Sequence, residues 1–239
     1  MSGRFPIEVT EKRTVKRVTV KQSITDFLDA FNVERGLIYT VKLLFTKPGM
    51  LIRFYLTEGR FKIVNAFRLL IITTAMSLIL LSFTDSFKLI YNVEAAAEQT
   101  EKAEEISQFM DTLFTDWYNL IIWISIPFYA LSSYLLMRRY ERFNYAEHLV
   151  VQSFLVSISN ILVIVCLPFG YFIGFRTAFA LSFFIALIYY FFVFWDLFKL
   201  RKFWFFFRVF IAYLFGNLLY IIFFMIVFGT IMVSQLSES

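Results

Sequence analysis

Five long segments of almost uninterrupted apolar sequence constrain the fold more than any other feature, and they cover residues 63–83, 117–137, 149–167, 177–197 and 205–233. A helix needs about 20 apolar residues to cross the hydrocarbon core of a bilayer. Hydrophobic residues make up 59% of this chain, whereas soluble domains contain about 45–50%. The sequence therefore predicts an all-α integral membrane protein with about five transmembrane helices and the lipid bilayer as its surroundings.

The segments outside these five are more polar. Residues 1–21 form a basic arm. Residues 22–62 carry apolar side chains at helical spacing but are too short or too polar to span, which predicts cytoplasmic amphipathic helices at the membrane interface. Residues 84–116 form an acidic connector rich in Ala and Glu, which favours a helical excursion. Residues 234–239 are a short tail.

Pro and Gly residues interrupt the interfacial segment in two places. Pro48 and Gly49 stand together after Lys47, and Gly59 precedes Arg60. Because neighbouring Pro and Gly residues usually stop a helix, we expect these four positions to form turns at the membrane surface.

Basic residues alternate with the spans. They are frequent before the first span, after the second (Arg138, Arg139, Arg142) and after the fourth (Lys199, Arg201, Lys202), and scarce in the other connections. Cytoplasmic loops carry an excess of Lys and Arg. The pattern predicts a cytoplasmic N-terminus and an extracytoplasmic C-terminus. It also explains the net charge of +5 without a nucleic-acid partner.

Motifs of known catalytic or metal-binding chemistry are absent from the sequence. It has no glycine-rich phosphate loop and no pair of zinc-binding histidines, since His148 and Cys166 are the single members of their residue types. We expect no enzyme activity, no cofactor and no metal site.

One polar cluster, formed by Asn144, Tyr145, Glu147 and His148, stands where the third span begins. Ionisable residues at a membrane span are candidates for proton or ion sites. The alternative is structural, because Asn144 with Glu147 three residues later matches the capping box that starts a helix.

Three further polar residues lie in the predicted spans: Asn160, Asp196 and Asn217. Either Asn could line a polar path or form an interhelical hydrogen bond. Asp196 could serve a gating or ion-binding role, or form a local ion pair with Lys199 and Lys202.

Two sequence patches resemble a known family. They are Glu34-Arg35-Gly36-Leu37 through Lys47-Pro48-Gly49 to Glu58-Gly59-Arg60, and Arg142-Phe143-Asn144-Tyr145-Ala146-Glu147-His148-Leu149. The chain resembles in these patches the bacterial membrane family catalogued as domain of unknown function 3667. The resemblance implies a multi-pass protein of the bacterial cytoplasmic membrane and brings no established activity. Members often begin with a cysteine-rich zinc ribbon, which this sequence does not have, so zinc binding is not carried over.

Two functions are compatible with the sequence. The first hypothesis is a non-enzymatic accessory or assembly subunit of a larger membrane complex, with other membrane subunits or further copies of itself as partners. The alternative is a channel or transporter for a small solute or ion, which would use the polar residues of the spans.

Overall fold

The computed structural model describes residues 36–57, 63–83, 118–140, 143–199 and 203–238. The predicted basic arm at 1–21, the acidic connector at 84–116 and the residues Gly59 and Arg60 lie outside these ranges.

The described residues form helices joined by short turns. The helices are α1 (Leu37–Thr46), α2 (Pro48–Thr57), α3 (Ala66–Phe83), α4 (Tyr118–Met137), α5 (Tyr145–Cys166), the short α6 (Gly170–Ile173), α7 (Phe175–Phe198) and α8 (Phe203–Glu238). No strand occurs in these ranges. The predicted all-α membrane fold is confirmed.

Four stretches are long and apolar enough to cross a bilayer. They are Leu120–Met137, Tyr145–Ile173, Phe175–Phe198 and Trp204–Val227. They correspond to the second to fifth predicted spans, and each is charge-poor over its length. Their surfaces carry many exposed large apolar side chains, for example Phe183, Phe184, Leu218 and Met225, as expected of helices in contact with lipid.

The first predicted span corresponds to helix α3. This helix begins at Ala66 rather than at residue 63, because the side-chain Oδ1 of Asn65 accepts hydrogen bonds from the N–H groups of Phe67 (2.9 Å) and Arg68 (3.3 Å) and caps the helix. The described apolar part, Ala66–Ser82, is shorter than the four long stretches. Within the described residues, four stretches have the length and composition of a span, and α3 is a shorter apolar helix that is described as far as Phe83, so the first predicted span stays a prediction.

Side-chain contacts define the relative directions of the helices. Near the start of α5, His148 contacts Ser133 at the end of α4, and Gln152 contacts Tyr190 in the second half of α7. The helix α5 is therefore antiparallel to both. Late α4 meets early α8 through Ser132 and the Ala212 carbonyl, so these two are also antiparallel. By contrast, α3 runs parallel to α5, since Thr74 meets Asn160 and Leu81 packs with Val163.

The turn between α5 and α7 reverses the chain completely. A 3₁₀ turn at Leu167–Phe169 and the four residues of α6 lead to Gly174. Gly174 has φ 87°, a conformation that Gly adopts without a Cβ penalty. The chain therefore reverses at Gly174, and Pro168 lies in the 3₁₀ turn that precedes this reversal.

The predicted break in the helix occurs at Lys47, between α1 and α2, but Pro48 and Gly49 do not form a turn at the surface. Pro48 is the first residue of α2, a position where its missing N–H costs nothing, and Gly49 lies within the helix; both are buried. A Cβ at Gly49 would collide with the backbone of Asp196 and Leu197. Gly49 therefore allows a close contact between α2 and the end of α7.

The buried face of α2 is covered by protein. Leu51, Ile52 and Tyr55 are at most 1% exposed and belong to the same core as Phe154 of α5 and Phe194 of α7. The rings of Tyr55 and Phe154 meet edge to face with centroids 5.4 Å apart. Thus α2 is packed against the end of the bundle rather than presenting this face to lipid.

Candidate functional site

A cleft of about 250 Å³ lies between α4, α5, α7 and α8, partly open to the outside of the bundle. A dry cavity of about 150 Å³ is large enough for benzene, so this cleft has room for a small organic molecule. It lies within the four apolar spans, where polar groups are rare and costly. Its polar side chains are Ser125, Tyr129, Gln152, Ser159, Asn160, Ser182, Tyr190 and Tyr213.

Gln152 connects the cleft to three neighbouring groups. Its Nε2 lies 3.2 Å from Ser133 Oγ, 3.4 Å from the Tyr190 hydroxyl and 3.4 Å from the Tyr129 carbonyl oxygen. The side chain is 1% exposed. Gln152 therefore joins α4, α5 and α7 at one wall of the cleft.

Asn217 holds Tyr129 in place. The Tyr129 hydroxyl donates to Asn217 Oδ1 at 2.8 Å, and Asn217 Nδ2 donates to the Tyr213 carbonyl at 2.8 Å. Gly216 lies against the Tyr129 ring, and a Cβ there would come within 2.6 Å of it. The predicted interhelical role of Asn217 is confirmed: it links α8 to α4 beside the cleft.

Asn160 lines the cleft and forms the interhelical hydrogen bond that the sequence offered as one of two alternatives. It lines the cleft, and its Nδ2 donates to Thr74 Oγ1 of α3 at 2.8 Å. Trp123 Nε1 of α4 approaches the same Thr74 oxygen at 3.5 Å. The residue is 3% exposed, so this contact ties α3 to the wall of the cleft.

His148 lies outside the cleft but is connected to it. Its Nδ1 is 2.9 Å from Ser133 Oγ, the oxygen that also accepts from Gln152. The rings of Tyr134 and Phe143 flank the imidazole, which is 1% exposed. A hydrogen-bonded series thus runs from His148 through Ser133 and Gln152 to Tyr190.

The remaining members of the predicted cluster start helix α5. Asn144 Oδ1 accepts from the Glu147 N–H at 2.9 Å, and Glu147 Oε2 accepts from the Asn144 N–H at 2.6 Å. This reciprocal pair is a capping box, so the structural interpretation of Asn144 and Glu147 is confirmed. The Tyr145 hydroxyl donates to the Pro127 carbonyl at 3.3 Å.

Asp196 does not line the cleft but contacts α2, and Lys202, one of its predicted ion-pair partners, lies outside the described residues. Its Oδ2 accepts a hydrogen bond from the Gly49 N–H at 2.8 Å. The carboxylate therefore caps the start of α2 from another helix, where negative charge is favourable. Arg53 of α2 also donates to the Leu197 carbonyl, which strengthens the same contact.

Sequence reasoning missed most of the cleft. Tyr129, Gln152, Tyr190 and the serines were not among the candidate residues. One signal was present in α5, where His148, Gln152 and Ser159–Asn160 recur at helical spacing along one face of an otherwise apolar span. The contributions of α4, α7 and α8 depend on how the helices pack, which no local pattern reveals.

No family model matches the chain, and no curated protein and no solved structure matches it either. The resemblance to the family of unknown function stays a prediction.

Proposed function

We propose that this membrane protein is a channel or transporter for a small solute, and that the solute occupies the cleft between α4, α5, α7 and α8. The observation that carries this proposal is the concentration of hydroxyl and amide groups around about 250 Å³ of space inside four apolar spans. Such groups are expensive in a bilayer unless they are satisfied or used.

Reconstitution tests this proposal. The purified full chain would be placed in liposomes, and reswelling would be followed by stopped-flow light scattering after mixing with urea, acetamide, glycerol or a monovalent salt. We expect at least one of these solutes to enter several times faster than it enters protein-free liposomes. Equal rates for every solute, with the protein shown to be folded and inserted, would contradict the proposal.

A second candidate function is the accessory or assembly subunit predicted from the sequence. The feature that favours it is α8, which packs mainly on α4 and leaves large side chains such as Trp204, Leu214 and Ile226 exposed. A partner subunit or a second copy could cover this face. The native mass of the protein in mild detergent tests this: a stoichiometric partner would support it, and a monomer without partners would contradict it.

The orientation of the protein is also a proposal. Arg138, Arg139 and Lys199 follow α4 and α7 at the end of the bundle where Arg53 also lies. By the positive-inside rule this end would face the cytoplasm, with the membrane being the bacterial inner membrane implied by the family resemblance. In a Cys166→Ala background, a single Cys introduced at the exposed Arg139 would be tested for labelling by an impermeant thiol reagent in intact cells and in inverted vesicles. Labelling in intact cells would contradict the proposed orientation.

A further inference from the structure

The serine hydroxyls around the cleft have already used their hydrogens. Ser125 donates to the Ile122 carbonyl at 2.7 Å, Ser182 donates to the Phe179 carbonyl at 2.7 Å, and Ser159 donates to the Leu155 carbonyl at 3.2 Å. Each hydroxyl has one hydrogen and two lone pairs. These three side chains can therefore only accept a hydrogen bond from a molecule in the cleft.

The orientation of the Asn160 amide follows from its neighbour. Thr74 Oγ1 donates its hydrogen to the Leu70 carbonyl at 2.7 Å and so acts as an acceptor towards Asn160. The atom of Asn160 that faces Thr74 must then be the donor Nδ2. Its Oδ1 is left to accept from a ligand.

The same reasoning determines the orientation of the Gln152 amide and the direction of the hydrogen bond of the Tyr129 hydroxyl. Because a backbone carbonyl can only accept, the atom of Gln152 facing the Tyr129 carbonyl is Nε2, which leaves Oε1 as an acceptor. Likewise Asn217 presents Nδ2 to the Tyr213 carbonyl and Oδ1 to Tyr129. The Tyr129 hydroxyl must therefore donate to Asn217, and its remaining capacity is that of an acceptor.

The donors left for a ligand are few. Within the described residues, the Tyr190 hydroxyl accepts from Gln152 and keeps its hydrogen for a ligand, whereas the Tyr213 hydroxyl is hydrogen-bonded to the Asn217 side chain; both side chains line the cleft. No charged side chain is found among the described residues that line it. An ion would therefore lose its hydration without gaining a counter-charge, which is costly in an apolar environment.

We infer that the cleft binds an uncharged molecule rich in N–H or O–H donors, such as a primary amide, and discriminates against cations and against molecules that only accept hydrogen bonds. An amide nitrogen would donate to the Ser, Asn160 and Gln152 oxygens, and the amide carbonyl would accept from the Tyr190 hydroxyl. This inference rests on the proposed function because it names the class of solute that would use the same cleft.

Three molecules of nearly equal shape separate the possibilities. Benzamide has a carbonyl and an NH₂ group, acetophenone replaces the NH₂ by a methyl group, and benzamidine is a cation at pH 7. Binding to the full chain in detergent would be measured by calorimetry. The Ala186→Phe variant, which fills the cleft from the middle of α7, serves to subtract partitioning into the micelle.

The matched control for this variant is Ala180→Phe on the exposed face of the same helix. We expect benzamide to bind wild type and Ala180→Phe about tenfold more tightly than acetophenone, since about one net hydrogen bond distinguishes them, and benzamidine to bind more weakly than either. Equal or tighter binding of acetophenone or benzamidine would overturn the inference.

A serine variant tests the donor requirement directly. Ser182→Ala removes one acceptor, whereas Ser157→Ala removes a buried hydroxyl of α5 that does not line the cleft. We expect Ser182→Ala to weaken benzamide several-fold without changing acetophenone, and Ser157→Ala to change neither. A loss of both ligands in Ser182→Ala would mean a structural effect and would count against the assignment.

The outcomes separate this inference from the proposed function. Selective benzamide binding without any solute flux in liposomes would refute transport and support the inferred class of ligand. Flux that is blocked by Ala186→Phe, together with no preference for benzamide over acetophenone, would support transport and refute the inferred class of ligand.

Discussion

The Asp196 carboxylate accepts a hydrogen bond from the Gly49 N–H at 2.8 Å and so joins the end of α7 to the start of α2. The two residues are separated by most of the chain, and Gly49 allows the contact because any Cβ would meet the α7 backbone. This relationship explains why an acidic residue lies at the end of an apolar span. It also positions α2 over the core that contains Phe154 and Phe194.

Removing the Asp196 carboxylate should weaken this contact. Asp196→Ala leaves the Gly49 N–H without its acceptor, and the loss of such a cap costs about 1 kcal/mol. Asp196→Asn keeps an acceptor oxygen and should cost less. Thermal unfolding in detergent would rank the variants. An Asn variant as unstable as the Ala variant would argue against the cap.

Gly49→Ala should destabilise the protein more than Asp196→Ala does. The added methyl group meets backbone atoms of Asp196 and Leu197, which cannot rotate away, and overpacking of this kind costs about 1–3 kcal/mol. Met50→Ala, at the exposed neighbouring position, is the control and should have little effect. The same thermal unfolding assay applies, and equal stability of Gly49→Ala and Met50→Ala would contradict the close contact.

Tyr129 and Asn217 should be energetically coupled. Their 2.8 Å hydrogen bond is lost in each single variant, Tyr129→Phe or Asn217→Leu, and in the double variant, so a double-mutant cycle measures its free energy. Interhelical hydrogen bonds in membrane proteins contribute about 0.6 kcal/mol on average and up to about 1.7. We expect a coupling free energy in this range from chemical unfolding. Strictly additive effects would mean that the two side chains do not interact.

Ser133 and His148 offer a compensation test. Ser133→Ala leaves the buried Nδ1 of His148 without its partner at 2.9 Å, and an unsatisfied buried polar group costs about 1–3 kcal/mol. Adding His148→Leu removes the orphaned group, so the double variant should recover part of the lost stability. If the double variant is less stable than Ser133→Ala, the histidine has a stabilising partner other than Ser133.

Much of the architecture could be predicted from the sequence because the bilayer imposes a simple rule on helix length. The four long spans and the capping box of Asn144 and Glu147 depend on local patterns, and the structure confirms them. The start of α3 at Ala66 depends on the Asn65 cap, a single polar residue in an apolar run. The predicted break at Lys47-Pro48-Gly49 occurs between α1 and α2, but the burial of Pro48 and Gly49 depends on the end of α7, which the sequence does not place beside them.

The candidate site was less predictable because it depends on how the helices pack, which local sequence does not show. Asn160 and Asn217 stood out as amides in apolar helices, and both contribute to the cleft or its support. Serines and tyrosines are common in membrane helices, so Ser125, Ser182 and Tyr190 carried no individual signal. Their role arises when four helices bring them together.

Solute flux in proteoliposomes containing Ala186→Phe or Ala180→Phe tests the central claim most directly, because the two variants place the same side chain on the same helix, inside and outside the cleft. For a solute that wild type passes, we predict a rate at least tenfold lower in Ala186→Phe and an unchanged rate in Ala180→Phe. Equal rates in the two variants would contradict the account, since the solute would then cross the protein without using the cleft.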